Sequence, residues 1–583
     1  MPSDQTMTVE EMGQVLQSFS VSDYIVFVLM LIVCAGIGVY FGFIEKAAST
    51  EDYLVGGRKM TVIPISLSLI ASYISGITLL GTPTEVYVYG MQYLYTIGGV
   101  FIMGLVMSHC YLPVFHDLKL TSSYEYLALR FDKRVRLLGS ALFCISILIW
   151  LPLVIYVPAL AFNQVSGINV HIVTPLVCII CIFYTCVGGI KAVVWTDAVQ
   201  TFSMFGAMLL VIVKGTSDVG GFLQVIQRNI DSQRLEGPEW SLDVTTRHTV
   251  WGLVIGGCVG WLQTNAVGQT MIQRYLALPT KRQAVQAVWI FVFGSTSLVV
   301  LCSYSGLLIH AKYFDCDPLT TQLAKAKDQL LPLLVMDTLG SIPGLPGLFV
   351  AGVFSAALSS MSTGLNSMSA VALEDFYKSY IDSSPSKRHS NLLVRSVVVV
   401  VGVVCVLMVY IVERLGSVLQ LAISLSAIPS GPSIGIFTMG MFIPQINSTG
   451  ALIGGFSSLA FMSWLVIGAQ YAIAQGKLRF EPKAVISTGC DYAFNATAKA
   501  VIIDETQEVW PLFRLSYMWY TLVGASVSIV VAVIVSLIFS SGQTEDLPHK
   551  LFSPVIHKYL SPPKEKERKH EIPIISIITA DNS

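Results

Sequence analysis

The chain is expected to fold as an all-α polytopic membrane protein, and three features of the sequence point there. Of its 583 residues, 54% are hydrophobic and only 12% are charged, whereas soluble domains carry about 25% charge. The apolar residues gather in runs of about 20, the length that crosses a bilayer as a helix. Two of these runs are interrupted midway by small and polar residues, a pattern tolerated inside a membrane only where backbone lines a protein cavity.

The elements follow in order. The first twenty residues, MPSDQTMTVEEMGQVLQSFS, are acidic and hold no Lys or Arg, the reverse of a cleavable signal peptide, so the first apolar run is expected to remain in the protein. Thirteen runs then read as spans: roughly 22–43, 61–80, 92–115, 137–163, 168–187, 193–214, 249–268, 284–308, 346–373, 392–412, 417–442, 449–471 and 515–540. An odd number puts the termini on opposite sides. With the N-terminus outside, about 22 of the 35 Lys and Arg, among them Arg130, Arg136, Lys191, Arg274 and the tail KEKERKH, fall on the inner side. The expected arrangement in the plasma membrane is therefore an extracellular N-terminus (1–21) and a cytoplasmic tail (541–583).

The outer segments 215–248, 309–345 and 472–514 are too short and mixed in composition to be separate domains. The sequon at Asn495 lies in the last of them and is the glycosylation candidate, whereas the sequon at Asn447 falls in an inner turn. Nine of the eleven cysteines lie within spans. The other two, Cys316 and Cys490, sit in outer loops and are a disulfide candidate, although the sequence leaves open whether those loops meet.

The second span, SLIASYISGIT, is broken by Ser72, Ser75, Gly76 and Thr78, with Thr82-Pro83 following; the seventh, GGCVGWLQTNAVGQT, is broken similarly five spans later. Five is odd, so the second half would run inverted through the membrane. Paired breaks at matching positions point to a secondary transporter with its site near the midplane. For any one such residue the alternative is close helix packing.

The ninth span carries Ser359, Ser362, Thr363 and Asn366 at i, i+3, i+4 and i+7 on one helix face, with Ser360 beside them. One or two hydroxyls there would bond back to their own helix or hold helices together. So dense a set also suits a hard cation such as Na⁺, which takes several oxygens. Asp197, at the start of the sixth span, is either a functional intramembrane acid or a helix-start acid facing cytoplasmic water, and Lys191 is a candidate partner for it. The sequence holds no metal-ligand spacing, P-loop or nucleophile motif in a suitable context, so no enzyme is expected. Cys178-x-x-Cys181 lies in an apolar span and reads as packing. Nucleic acid and an obligate protein partner are not expected; a small solute, sodium and the lipid bilayer are.

The strings SDYIVF, EDYLVGGRKMTVIPISLSLIASYISGITLLGTPTEVY, TSSYEYLALRF, FYTCVGGIKAVVWTDAVQ, IQRYLALPTKRQA and LPGLFVAGVFSAALSSMSTGLNSMSAVALEDF resemble the sodium/solute symporter family. Within it they are most similar to the branch of sodium-coupled monocarboxylate, sodium/iodide and sodium-dependent multivitamin transporters. The resemblance implies a five-plus-five inverted repeat of the leucine-transporter type, with halves at 61–214 and 249–442, an extra helix at 22–43 and two more within 449–540. It implies sodium held by the carbonyls of Ala71, Ile74 and Ala356 and the hydroxyls of Ser359 and Ser360, and a second sodium near Ser72, Thr78, Tyr156, Asp197, Ser362 and Thr363. Solute would lie among Tyr73, Thr78, Tyr156, Gln263, Thr264, Asn265 and Ser424. Ile97 stands where sugar-carrying relatives place a carboxylate, which disfavours a hexose. Val267-Gly268-Gln269 replaces the branch's usual Val-Asn-Gln, and Leu262 to Ala266 depart from its pattern too. The expected function is sodium-coupled import of a small organic anion; the alternatives are iodide, a sugar or polyol, and a sodium-gated sensor or channel.

Overall fold

Without water to satisfy N–H and C=O groups inside a bilayer, apolar runs close their hydrogen bonds internally and become helices. The computed structural model describes residues 7–16, 19–45, 47–413, 418–494, 509–539 and 547–560. Among these the fold is helix and loop, with an isolated bridge between Thr8 and Ala493. Among the described residues ten helices are long and apolar enough to cross a membrane. Asn495 lies outside the described residues, as does the tail from residue 561.

The elements that position the site are α1 (Val21–Val39), the short pair α2 (Val62–Tyr73) and α3 (Gly76–Tyr89), α4 (Thr96–Val106) and α5 (Lys133–Ser166). They continue with α6 (Val170–Val219), the second short pair α7 (Gly257–Leu262) and α8 (Gln269–Tyr275), and α9 (Lys281–Lys312). Last come α10 (Leu345–Val371), α11 (Lys387–Val412), α12 (Val418–Phe442), α13 (Ser448–Ala474) and α14 (Tyr520–Ile538). Helix α10 forms the centre: nearly all its residues are buried, and α1, α2, α5, α6 and α11 pack around it. Helices α12, α13 and α14 form a second packed group, joined to α5.

Polar residues fix where helices start. Asp132 caps α5 by accepting from the N–H groups of Arg134 and Val135, both at 2.9 Å. Asn447 caps α13 through Gly450 N–H at 2.8 Å, and its amide donates to the Phe539 carbonyl at 2.7 Å. The Asn447 sequon is thus a buried structural cap.

Two expectations are refined. Thr82-Pro83 does not interrupt the second span, because α3 runs through Pro83; the interruption is confined to Ile74–Ser75. Spans five and six, expected as 168–187 and 193–214, follow each other without a loop: within the stretch α6 two helices meet at a kink at Gly189. A straight helix of 50 residues would be about 75 Å long, twice what a bilayer needs. Gly189 supplies the bend with φ 59° and ψ −154°, a conformation that residues with a Cβ avoid. Outside the spans, Cys316 and Cys490 are joined by a disulfide with a Cα–Cα separation of 4.9 Å, which ties the loop after α9 to the loop after α13.

A Cβ at position 189 would lie 2.7 Å from both the carbonyl oxygen and a ring carbon of Tyr53. Gly189→Ala is therefore expected to lower stability by about 1–3 kcal/mol, read as a reduced thermal midpoint of the purified protein and reduced surface expression.

Candidate functional site

The helix ladder of α2 ends where Ile74 N–H reaches the Ile70 carbonyl at 2.9 Å, and α3 starts with Thr78 N–H on the Ser75 carbonyl at 3.0 Å. Ile74 (φ −76°, ψ 103°) and Ser75 (φ −97°, ψ 170°) between them are extended. A helix C-terminus leaves its last four carbonyls without intrahelical donors, here those of Ala71 through Ile74. Gly76 lets α3 start against α5, because a Cβ there would meet Pro158 at 2.6 Å.

Helix α10 faces this break. Ser360 Oγ donates to the Ser72 carbonyl at 3.3 Å, and Ala71, Ala356 and Ser359 are fully buried. Ser355 Oγ and Ser75 Oγ are buried with no hydrogen-bond partner, and the buried Ser359 Oγ has only the Asp197 carboxylate nearby. Buried hydroxyls usually find partners, so these orphaned oxygens beside free carbonyls suit a cation bound by neutral oxygens. Ser362 is differently placed, since its hydroxyl bonds back to the Ser359 carbonyl at 3.0 Å.

Below the break lies a charged cluster. Asp197 on α6 is completely buried, which rules out the solvent-facing reading. Its Oδ2 accepts from Ser68 Oγ at 2.6 Å, Ser72 Oγ at 3.4 Å and Arg274 Nη2 at 3.1 Å. Arg274 on α8 is 2% exposed; its Nε donates to Ser68 Oγ at 2.6 Å, its Nη1 to the Thr270 carbonyl at 2.7 Å, and its Nη2 also to Thr363 Oγ1. Ser72 and Thr363 hydroxyls meet at 2.8 Å. The suggested partner of Asp197 is corrected: Lys191 lies two turns nearer the helix bend and pairs with Asp52 at 3.3 Å and Glu45 at 3.5 Å instead. Burying an arginine–carboxylate pair is tolerable only with such additional hydrogen bonds.

The second interruption sits between α7 and α8. Gln263–Val267 form a π-turn, closed by Gly268 N–H on the Gln263 carbonyl at 3.0 Å, and Gly268 is extended. A Cβ at Gly268 would lie 2.6 Å from the Thr264 carbonyl, a close approach that glycine permits. Gln269 then anchors α8, accepting from Ser123 N–H at 2.7 Å and donating to the Thr121 carbonyl at 3.0 Å. The two breaks meet through aromatic stacking, with Tyr73 against Trp261 at 4.0 Å and 17°, and Phe291 edge-on to Tyr73 at 5.7 Å.

The structure thus brings Ser72, Asp197 and Thr363 into one network and Ser360 onto the break. Tyr73 joins the aromatic group. Thr78 and Tyr156 lie on packed helices α3 and α5, with no hydrogen bond linking them to Asp197. Gln263 and Thr264 bond to each other at 3.3 Å. Asn265 is turned into the protein, donating to the Trp261 carbonyl at 3.0 Å and accepting from Tyr275 Oη at 3.4 Å. Ser424 is buried on α12 with an unpartnered hydroxyl, and α12 packs on both α3 and the π-turn. Sequence reasoning missed Arg274, Ser68 and Trp261. The signals were a buried acid that needed a counter-charge and a serine one turn before Ser72.

Two further ion pairs are buried away from the breaks. Arg247 grips Glu85 on α3 bidentately at 2.6 and 2.9 Å and reaches Gln420 on α12 at 2.8 Å. Arg136 on α5 pairs with Asp375, just beyond α10, at 2.6 Å, and Asp375 also accepts from Ser122 at 2.6 Å.

Comparison with known proteins agrees with this architecture. The sequence model of the sodium:solute symporter family matches residues 53–457. The chain is 37% identical to sodium-coupled monocarboxylate transporter 1 of Xenopus laevis over 96% of this chain and 93% of the relative. It is 36% identical to human sodium-coupled monocarboxylate transporter 2 over 93% and 88%, and 37% identical to the human sodium/iodide cotransporter over 80% and 73%. Among solved structures, a Na⁺-coupled sialic acid symporter in a substrate-bound outward-open state shares the fold, with a TM-score of 0.71 at 23% identity over 90% of this chain and 99% of that one.

Removing the charge of Asp197 alone strands a buried guanidinium. Asp197→Asn is expected to destabilise the protein by about 3–5 kcal/mol, and Asp197→Asn with Arg274→Gln by much less, compared by thermal unfolding in the same detergent.

Proposed function

The chain belongs to the sodium:solute symporter family and is a sodium-coupled symporter of the membrane, not an enzyme; from that premise we propose that it imports a small organic anion, a monocarboxylate or vitamin-like carboxylate, by alternating access. The observation that carries the coupling is the contact between the α2–α3 break and α10, where free carbonyls and unpartnered serine hydroxyls converge. Sodium would bind to the carbonyls of Ala71, Ile74 and Ala356 and to Ser359 and Ser360. A second ion would use Ser72, Asp197 and Thr363, with Thr78, Tyr156 and Ser362 on the same helices.

Solute would lie where the two breaks face each other, among Tyr73, Thr78, Tyr156, Gln263, Thr264 and Ser424, with Trp261 as an aromatic wall. Its anionic, non-sugar character is supported by the similarity to sodium-coupled monocarboxylate transporters and by Ile97, an aliphatic residue at the sugar carriers' carboxylate position. The outer pair Glu85–Arg247 and the inner pair Arg136–Asp375 are placed to close alternate sides. Helix halves ending in a cavity present dipoles and carbonyls to ions there, as broken transporter helices do.

We read the topology as thirteen spans: the ten long helices, one more because α6 bends at Gly189, and one from each broken pair. On this reading 61–214 and 249–442 are the inverted halves, 22–43 and 449–540 the additions, and the N-terminus is extracellular in the plasma membrane. The distribution of Lys and Arg supports that orientation.

Ser359→Ala with Ser360→Ala is expected to raise the half-saturating sodium concentration by about tenfold or more while the protein still reaches the surface; an unchanged sodium dependence would refute the assignment. Energetics predict the stoichiometry readout. At about −60 mV and a tenfold sodium gradient each ion supplies about 2.8 kcal/mol, and carrying a monoanion inward costs about 1.4. One sodium then accumulates the anion about tenfold without current, and two about a thousandfold with inward current. Recording current during sodium-dependent uptake of lactate, nicotinate, biotin, pantothenate, iodide, glucose and myo-inositol distinguishes these cases and identifies the solute; sodium current without accumulation would instead indicate a channel.

A further inference from the structure

Arg274 brings a permanent positive charge into the membrane-spanning core at the place assigned above to a second sodium ion. Its Nη2 contacts Asp197 Oδ2 at 3.1 Å and also donates to Thr363 Oγ1, the same atoms that the second ion would use. The two cations cannot hold those oxygens together. We propose that Arg274 is a tethered cation that occupies the Asp197 site when sodium is absent and is displaced when sodium arrives, so that the emptied carrier returns with its buried carboxylate already neutralised. The inference rests on reading Ser72, Asp197 and Thr363 as sodium ligands.

Three features carry it. Arginine holds carboxylates most firmly with a bidentate fork, yet here Arg274 engages only Oδ2, and Asp197 Oδ1 is buried and free of the guanidinium, with Ser359 as a neighbouring hydroxyl. The pair is therefore built loosely, with one oxygen that the arginine does not hold. Second, Arg274 Nη1 is held at 2.7 Å by Thr270, one turn back on its own helix, so the guanidinium keeps an anchor when it releases Asp197. Helix α8 follows directly on the extended Gly268, so the arm stands on a helix half beside a break. Third, a symporter must return empty, and a buried carboxylate left alone is costly. Lys191 is engaged by Glu45 and Asp52 elsewhere, whereas Arg274 is already in contact.

The test compares two fluxes. Arg274→Gln is expected to retain solute exchange with saturating sodium on both sides, because the loaded carrier needs no arginine, while net uptake falls about tenfold or more. In the purified variant, loss of the competing charge should lower the sodium concentration giving half-maximal thermal protection by about tenfold. Exchange and net uptake falling together, or thermal protection at an unchanged sodium concentration, overturns the proposal in favour of a purely structural arginine. Asp197→Asn with Arg274→Gln removes both charges and should recover net uptake with first-order sodium dependence. That double variant decides the matter if the single one does not reach the surface, and absent net uptake in it overturns the proposal. If the double variant keeps the wild-type sodium order, sodium does not visit Asp197, and the site reading beneath the inference falls with it.

Discussion

A helix that stops inside a bilayer leaves carbonyls that no water can satisfy, and this protein is arranged around two such stops. At Ile74–Ser75 the free carbonyls of α2 are met by the hydroxyl-rich face of α10. At Gly268 a π-turn and an extended residue separate α7 from α8. Each stop is stabilised by its neighbours: Gly76 fits against Pro158, and Gln269 pins α8 to the loop at Thr121 and Ser123. Because neither break can be relieved locally, the central helix must carry polar side chains although it is almost wholly buried. That requirement explains why α10 is rich in serine in a place where leucine would pack as well.

Charge follows the same logic. A carboxylate in the core needs a counter-charge and hydrogen bonds, and Asp197 obtains them from Arg274 and Ser68. The two further ion pairs, Glu85–Arg247 and Arg136–Asp375, each join a helix of the core to a segment from elsewhere in the chain. Such pairs add little net stability against apolar packing, but they fix register and separate cleanly when water reaches them. Their location suits surfaces that part and re-form during transport, while the apolar contacts of α10 with α6 hold the scaffold.

Much of the fold was legible in the sequence because bilayer crossing is a one-dimensional property. Length and apolarity of a run decide whether it can span, and ten helices among the described residues meet that test, although the second span, expected to end at residue 80, continues through α3 to Tyr89. The breaks were legible because Ser, Gly and Thr clusters are local, although Pro83 misled, since α3 tolerates it within a packed helix. The serine face of α10 followed from helical spacing alone. The partner of Asp197 did not, because Arg274 lies far along the chain and counted among the cytoplasmic charges, while Lys191 was near in sequence and turned out to serve Glu45 and Asp52. Asn265, expected toward the solute, turns inward because its amide meets the Trp261 carbonyl and Tyr275.

By itself the sequence determined that the chain lives in a membrane, where its helices run, where they break and which helix carries the oxygens, since each of these depends on composition within some twenty residues. Tertiary structure alone decided which charges meet, that the Cys316 and Cys490 loops come together, that Tyr73 stacks on Trp261, and that the fifth and sixth spans meet directly at a kink at Gly189. The physical reason is that pairing across a fold depends on how broken helices orient against their neighbours, and that orientation is set by close packing between segments that the sequence lists far apart.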